Sequence, residues 1–440
     1  MGQVMVDVHL GADASERIIL GGAMHATRAL CALGVTQYLY FISPSYLDDH
    51  IARMAREYII TDCLKVGNVS GCPNLLLIQE STEAGPQGYM SPLEPYHATT
   101  SDLKDFEKSL NENGLTDIFI FAGGFDLSGV LQICGKFEIR VHIDASYGPK
   151  NMDEFGALRR AVTCIALSTS SDSFLNEFKS DPSGLATAYL EHSESVLFKE
   201  NRGGARLFVS GQKPTRAAAQ VRPVIHSVGV GDCYNVVFAV ARQSHNDAIA
   251  MAMASMVAAE YAVTTNFKTF KASAEAVLSL AEETVRDLKG VSLPWERRKD
   301  INIYIAAPDF SRVDRRPLKK LEEALRYHNF TPRLPVQENG EAAPTETQTR
   351  KQALFEADVR LLDQCQIMVA VLLFHDPGTY VEMGMAAARK IPVIVYDPYS
   401  ISSNLMVTQL PEAISHRLDD VIAEVFISAG KIDGARSEDS

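Results

Sequence analysis

The chain lacks the marks of several common protein classes. Its seven cysteines, Cys31, Cys63, Cys72, Cys134, Cys164, Cys233 and Cys365, include no Cys-x-x-Cys, and no paired histidine spacing accompanies them. That pattern argues against a zinc site and against a disulfide scaffold, so a reducing, cytoplasmic setting is expected and no metal ligand is assigned. No stretch approaches the roughly 18 apolar residues that cross a bilayer, and the first residues lack the charged, then apolar pattern of a leader. Neither membrane insertion nor secretion is expected. Basic residues are in deficit, 42 Lys and Arg against 55 Asp and Glu for a net charge of −13, with no basic stripe interleaved with aromatics. A nucleic-acid polymer is therefore not an expected partner, and small molecules are. There is no internal repeat.

What is present is enough apolar material for two cores. At 440 residues with 46% hydrophobic content, the chain exceeds the usual single domain. Periodicity alternates between strand and helix, which favours parallel α/β layering over a bundle or a sandwich. Strands are predicted at 117–122, 138–143, 162–167, 195–199 and 205–209, and helices at 233–242, 247–262 and 272–288. The polar, Pro-containing segment 294–300 marks a domain boundary, after which a fresh α/β unit begins at Ile301. Residues 337–349, rich in Glu, Thr, Ala and Pro, read as a mobile lid or binding loop, and the small, charged residues 430–440 as a frayed tail.

The second unit carries three carboxylates in the order Asp358, Asp376, Glu382, the last two in Asp-Pro-Gly-Thr-Tyr-Val-Glu-Met-Gly-Met-Ala. Cleaving an N-glycosidic bond passes through a sugar cation. It needs one carboxylate beneath the anomeric carbon and an acid to help the base depart. The Asp-Pro-Gly-Thr reads as a tight turn, with Glu382 opening a helix over 382–389 and Asp376 ending an apolar strand over 367–374. In a parallel sheet both side chains then converge on the crevice at the strands' carboxyl ends.

This order, between a strand opening Tyr-Ile-Ala-Ala-Pro and one closing Ile-Pro-Val-Ile-Val-Tyr, resembles the nucleoside 2-deoxyribosyltransferase family over roughly a hundred residues. The resemblance implies Glu382 as nucleophile, with Asp376 and Asp358 as the family's two aspartates. Tyr304 falls at an aromatic position on the first strand. Asn404, in Ser-Asn-Leu-Met, resembles an asparagine that family members insert into a neighbouring subunit's site, which implies a homo-oligomer. Asp309 and Ser311, after the first strand, are either substrate contacts or loop and cap residues. Related deoxynucleoside monophosphate hydrolases often carry serine at the position of Asp376. A carboxylate there would repel a 5′-phosphate, which favours unphosphorylated nucleosides.

In the first unit, Ser-Val-Gly-Val-Gly-Asp-Cys-Tyr-Asn puts two glycines and Asp232 at the start of an apolar helix. Glycines let backbone N–H groups approach a phosphoryl group, and an aspartate there can take a proton from an attacking hydroxyl. The motif resembles the Gly-x-Gly-Asp signature of ribokinase-like (PfkB) kinases, with Asp232 as base and Gly229, Val230 and Gly231 as anion hole. Gly21-Gly22-Ala23, leading to Leu33-Gly34, looks like that family's substrate-side signature. The sequence departs from the family at His25, where asparagine is common, around His226 and Ser227, and at Lys199-Glu-Asn-Arg-Gly-Gly-Ala, in place of the usual glycine-rich nucleotide strand. His25 reads as a packed or substrate-side residue, and Asp7 as a holder of a substrate hydroxyl or a strand-edge aspartate.

Together the resemblances imply a ribokinase-like α/β domain over 1–290, a linker over 291–300, a flavodoxin/Rossmann-like doubly wound parallel sheet over 301–428 and a flexible tail over 429–440. They imply exchange or release of the base of a 2′-deoxynucleoside without a cofactor, joined to a kinase-like half that would use ATP and Mg2+. Two alternatives stand beside this: a hydrolase in which water intercepts the glycosyl intermediate, and a sensor whose kinase-like half binds nucleotide or nucleoside without turnover.

Overall fold

The apolar runs at 195–199 and 205–209 fold as the strands Ser195–Lys199 and Ala205–Val209, paired antiparallel. Ser195–Lys199 also closes the parallel run formed by Gly2–Gln3, Tyr38–Ser43, Asp62–Gly71, Asp117–Gly123, Arg140–Tyr147 and Cys164–Ser168. With the edge strands Tyr96–Thr100 and Thr215–Ala217 these make a ten-stranded sheet. Strands such as Cys164–Ser168 are buried along their whole length, as expected for parallel strands covered on both faces. A second, four-stranded sheet joins Glu16–Leu20, Val6–Leu10, Leu75–Ile78 and Tyr89–Met90.

The computed structural model describes every residue except 11–15, 79–88, 94, 102, 149–151, 311–312, 344 and 439–440. The chain divides into two compact units, with the boundary between Ser292 and Leu293. In the first, the helices Val230–Ala241 and Asp247–Ala262 form the centre of the core. The helix expected over 272–288 is two helices, Phe267–Leu278 and Glu282–Asp287. The break at Ala281, which is extended, lets both Leu280 and Val285 pack on that core, which one straight helix would not.

The second unit is a five-stranded, all-parallel sheet in the order Thr331–Arg333, Asn302–Ala306, Ile367–Val371, Val393–Tyr396, Ala413–Ser415. Numbered along the chain this order is 2-1-3-4-5, the flavodoxin-like arrangement. The winding reverses between Asn302–Ala306 and Ile367–Val371, and in sheets of this order ligands generally bind at the carboxyl ends of the strands there.

Two segments differ from expectation because they find apolar partners. In the linker region, Val291 pairs with Ala219, while Leu293, Trp295 and Arg298 are buried and Trp295–Arg298 is a helix turn. Arg298 stacks over both Trp295 and Phe426, so the start of the second unit is packed rather than free. The tail is helical as far as Glu438, in the helix Leu418–Glu438. Phe426 and Ala429 bury its inner face, and Asp433 pairs with Arg297 at 3.0 Å. The loop expected at 337–349 is shortened by helices at both ends, Pro335–Asn339 and Gln348–Asp363. No helix among the described residues is long and apolar enough to cross a membrane.

Candidate active sites

Asp-Pro-Gly-Thr in the second unit starts a helix and is not a turn before one. The helix is Pro377–Ala388, with Asp376 as its N-cap and Pro377 in its first turn, where the missing N–H costs nothing. Asp376 Oδ2 accepts from both the amide and the hydroxyl of Thr379, each at 2.8 Å. A Cβ at residue 378 would crowd that oxygen at 3.1 Å, which accounts for Gly378. Glu382 therefore lies in the second helical turn. It is aimed at the strand Asn302–Ala306, where Tyr304 Oη donates to its Oε1 at 2.6 Å.

Burial pushes the Glu382 carboxyl up to about 7; the Asp358 and Asp376 charges add to this, and the Tyr304 bond works against it. Tyr304 is itself pushed well above the phenol range by burial and by the Glu382 charge. Asp358, half-buried on the helix Gln348–Asp363, is raised by burial and partly restored by a 2.8 Å bond from Asn339 Nδ2 to its Oδ1. Asp309 is buried after the first strand. Its Oδ1 accepts from Arg315 at 3.0 Å, and its Oδ2 has no partner among the described residues. It caps no helix; Arg315 precedes the helix Arg316–Tyr327.

Asn404 is exposed and caps the short helix Leu405–Gln409 through Met406 N at 2.9 Å. It lines a cleft of about 470 Å3 with Tyr380, Met383, Met406, Val407 and Leu410. Among the described residues no hydrogen bond ties it to Glu382, Asp376 or Asp358. Ser311 lies outside the described residues.

In the first unit the glycines surround a buried acid-histidine pair. Asp7 Oδ2 accepts from His25 Nε2 at 2.9 Å, and His25 Nδ1 meets the Tyr261 hydroxyl at 2.8 Å. A Cβ on Gly21 would lie 1.9 Å from Asp7 Oδ2, and one on Gly229 would lie 2.2 Å from His25 Cγ. Gly22 and Gly229 also hold left-handed φ values of 62° and 76°. Gly229 is the N-cap of Val230–Ala241, so Val230, Gly231 and Asp232 form its first turn. Burial and then the Asp144 charge push Asp232 up to about 6. For Asp144 itself burial acts upward, but Lys199 and the Ser146 bonds outweigh it and hold the carboxyl below its usual range. Lys199 Nζ sits 3.2 Å from Asp144 Oδ2 and 3.5 Å from the Gly231 carbonyl, and Asn235 Nδ2 donates to the same Asp144 oxygen at 2.6 Å.

Residues 303–414 match the family model of the nucleoside 2-deoxyribosyltransferases. This stretch is a nucleoside 2-deoxyribosyltransferase domain. No protein of curated function matches the chain. Among solved structures, the chain is similar to an Arabidopsis thaliana ribokinase complexed with ribose and ATP, at 14% identity, 64% of this chain, 97% of that one and a TM-score of 0.47. A Thermotoga maritima ribokinase is similar at 15% identity, 63% and 99% coverage and a TM-score of 0.47. A phosphofructokinase-2 mutant from Escherichia coli is similar at 11%, 63%, 98% and 0.47.

In the deoxyribosyltransferase domain, Tyr304, Glu382 and Asp358 share one electrostatic cluster with Asp376 close enough to act on Glu382, while Asn404 borders a cleft lined by Tyr380 and Met383, which flank Glu382 on its helix. Sequence reasoning missed Asn339, which sat inside a presumed loop. In the first unit it missed Asp144, Tyr261 and Asn235, and treated Lys199 only as a departure from a pattern. One signal was available: Asn235 follows Asp232 by a single helical turn in the same motif.

Proposed function

We propose that the deoxyribosyltransferase domain cleaves or exchanges the N-glycosidic bond of unphosphorylated 2′-deoxynucleosides with Glu382 as nucleophile. The observation that carries this reading is the Tyr304–Glu382 bond, which occupies Oε1 and leaves Oε2 for the anomeric carbon. In the first step Oε2 bonds to C1′, the C1′–N bond breaks, and its electron pair leaves with the base. Asp358, raised by burial, gives that base a proton. The ionised Asp358 then takes a proton from an incoming base whose nitrogen attacks C1′, and Glu382 is released. The sequence of bonds needs no cofactor. Water attacking in place of the second base gives the hydrolase alternative. The buried, unpartnered Oδ2 of Asp309 suits a sugar hydroxyl, and Asp376, already capping its helix, would repel a 5′-phosphate.

The test is chromatography of products from deoxyinosine or thymidine, with and without adenine. Deoxyadenosine made only with adenine supports exchange, and free base released without it supports hydrolysis. Full activity in Glu382→Ala overturns the mechanism.

For the first unit we propose phosphotransfer to a sugar or nucleoside, with Asp232 as base. Its raised carboxyl, in the first turn behind Gly229, supports this reading. The Gly229 and Gly231 amides and the Lys199 ammonium suit ATP phosphates, whereas Val230 N already donates to Ser227 O at 3.3 Å; magnesium would come with those phosphates and supply charge neutralisation. The sensor alternative draws support from His25, whose ring fills the space between Asp7 and Gly229 with both nitrogens engaged. Exposed Leu405 and Met406 beside Asn404 support a homo-oligomer, and seven unpaired cysteines support a cytoplasmic setting.

A further inference from the structure

The deoxyribosyltransferase reading leaves open how Asp358 presents its proton to one atom rather than another. A carboxylic acid has two oxygens that can exchange roles by rotation about its Cβ–Cγ bond, and each can carry the hydrogen. Directed proton transfer requires that this freedom be removed. In the second unit the constraint comes from a residue 19 positions earlier in the chain, Asn339, whose Nδ2 lies 2.8 Å from Asp358 Oδ1. An ionised carboxylate can only accept, so the Asn339 amide presents its N–H there. Once Oδ1 is occupied by that donor, which makes the one side-chain hydrogen bond to Asp358 among the described residues, a proton arriving on Asp358 goes to Oδ2.

Asn339 is well placed to impose this. It ends the short helix Pro335–Asn339, and the preceding residue, Glu338, forms a two-point ion pair with Arg333 at 2.8 and 2.6 Å. That pair fixes the helix to the strand Thr331–Arg333, which is hydrogen-bonded to the strand carrying Tyr304. Gly340, at φ 96°, turns the chain away immediately afterwards, so the Asn339 side chain is held at the helix end. A continuous path of bonded groups therefore runs from the central sheet to the Asp358 carboxyl.

We infer that Asn339 is a positioning residue for glycosidic-bond cleavage, orienting Asp358 so that Oδ2 carries the proton delivered to the leaving base. The inference rests on the proposed function of this domain. Of the titratable groups facing it, Tyr304 on the first strand and Glu382 on the helix Pro377–Ala388 feel the Asp358 charge, Glu382 also feels Asp376, and Arg333 and Glu338 next to Asn339 are paired with each other. Losing the Asn339 donor removes a bond that favours ionised Asp358, so its proton is held to higher pH.

The experiment measures kcat, KM and the pH profile of base release in the full chain for wild type, Asn339→Ala, Asn339→Gln, Asp358→Asn and the double variant Asn339→Ala/Asp358→Asn. For Asn339→Ala the expected result is a fall in kcat of about 10-fold with KM little changed, since misorientation costs the reacting geometry and not binding. The alkaline limb should move to higher pH, Asn339→Gln should recover part of the loss, and the double variant should be no slower than Asp358→Asn alone. An unchanged profile in Asn339→Ala, or losses that add in the double variant, overturns the inference while leaving the glycosidic reading intact. Full activity in Asp358→Asn, or no base release by wild type, overturns the reading itself and the inference with it. Asn339 is half-buried at a helix end, and the Gln variant, which keeps the amide, separates loss of the bond from loss of the fold.

Discussion

Tyr304 and Glu382, 78 positions apart, are joined by a 2.6 Å hydrogen bond that links the first strand of the second unit to the helix after its third. The strand that carries Tyr304 and the strand Ile367–Val371 before the Glu382 helix are the neighbours between which the sheet's winding reverses. The bond occupies Oε1 of Glu382.

Tyr304→Phe removes a bond that favours ionised Glu382. The carboxyl then titrates above its present value of about 7, and a nucleophile must be ionised. The acid limb of the base-exchange profile should move to higher pH, with activity at pH 6.5 falling by about 10-fold or more. A limb that stays in place would show that Glu382 does not set it.

Glu382 also makes stability depend on pH. Its folded carboxyl, at about 7, lies above the ordinary value of 4.5. Its contribution is therefore full below about 4.5 and is lost as pH rises through about 7, a change of up to about 3 kcal/mol. Glu382→Gln, which keeps an acceptor for Tyr304, should raise Tm more at pH 8 than at pH 5. Equal shifts at both pH values would refute the buried-acid account.

In the first unit, Asp232→Asn should abolish ADP formation with sugar or nucleoside acceptors while leaving base exchange untouched. With the Asp232 carboxyl near 6, wild-type phosphotransfer should rise as pH passes through that value. ADP formation undiminished in the variant would remove Asp232 from the reaction. No ADP from wild type would favour the sensor, to be followed by titrating nucleotides and nucleosides against the protein by calorimetry.

His25→Ala should destabilise the first unit by about 3 kcal/mol, because it leaves Asp7 buried with both oxygens unpaired. Gly229→Ala should be at least as damaging, since its Cβ would fall 2.2 Å from His25 Cγ at a left-handed φ of 76°. Denaturant melts of both variants check this. A midpoint unchanged from wild type would mean that the pair is not packed as described.

The linear sequence carried the alternation of strands and helices, because apolar periodicity and runs such as 195–199 report local burial directly. The order of Asp358, Asp376 and Glu382 was likewise legible in it. It misplaced the start of the helix Pro377–Ala388, because Asp-Pro-Gly-Thr suits a turn and a capped first helical turn equally well, and only the amide of Thr379 meeting Asp376 distinguishes them. It read 429–440 as a tail because a short, polar, Gly-containing stretch has little helix signal of its own; burial of Ala429 and the Arg297–Asp433 pair supply the rest. Tertiary structure alone decided which polar groups meet. Asp144 finds Lys199 and Asn235, His25 finds Asp7 and Tyr261, and Asn339 finds Asp358, across separations of 18 residues for Asp7–His25 to 236 for His25–Tyr261. Periodicity fixes the face on which a side chain lies, whereas hydrogen-bond partners depend on how separate elements are brought together by the sheet order, which no local pattern encodes.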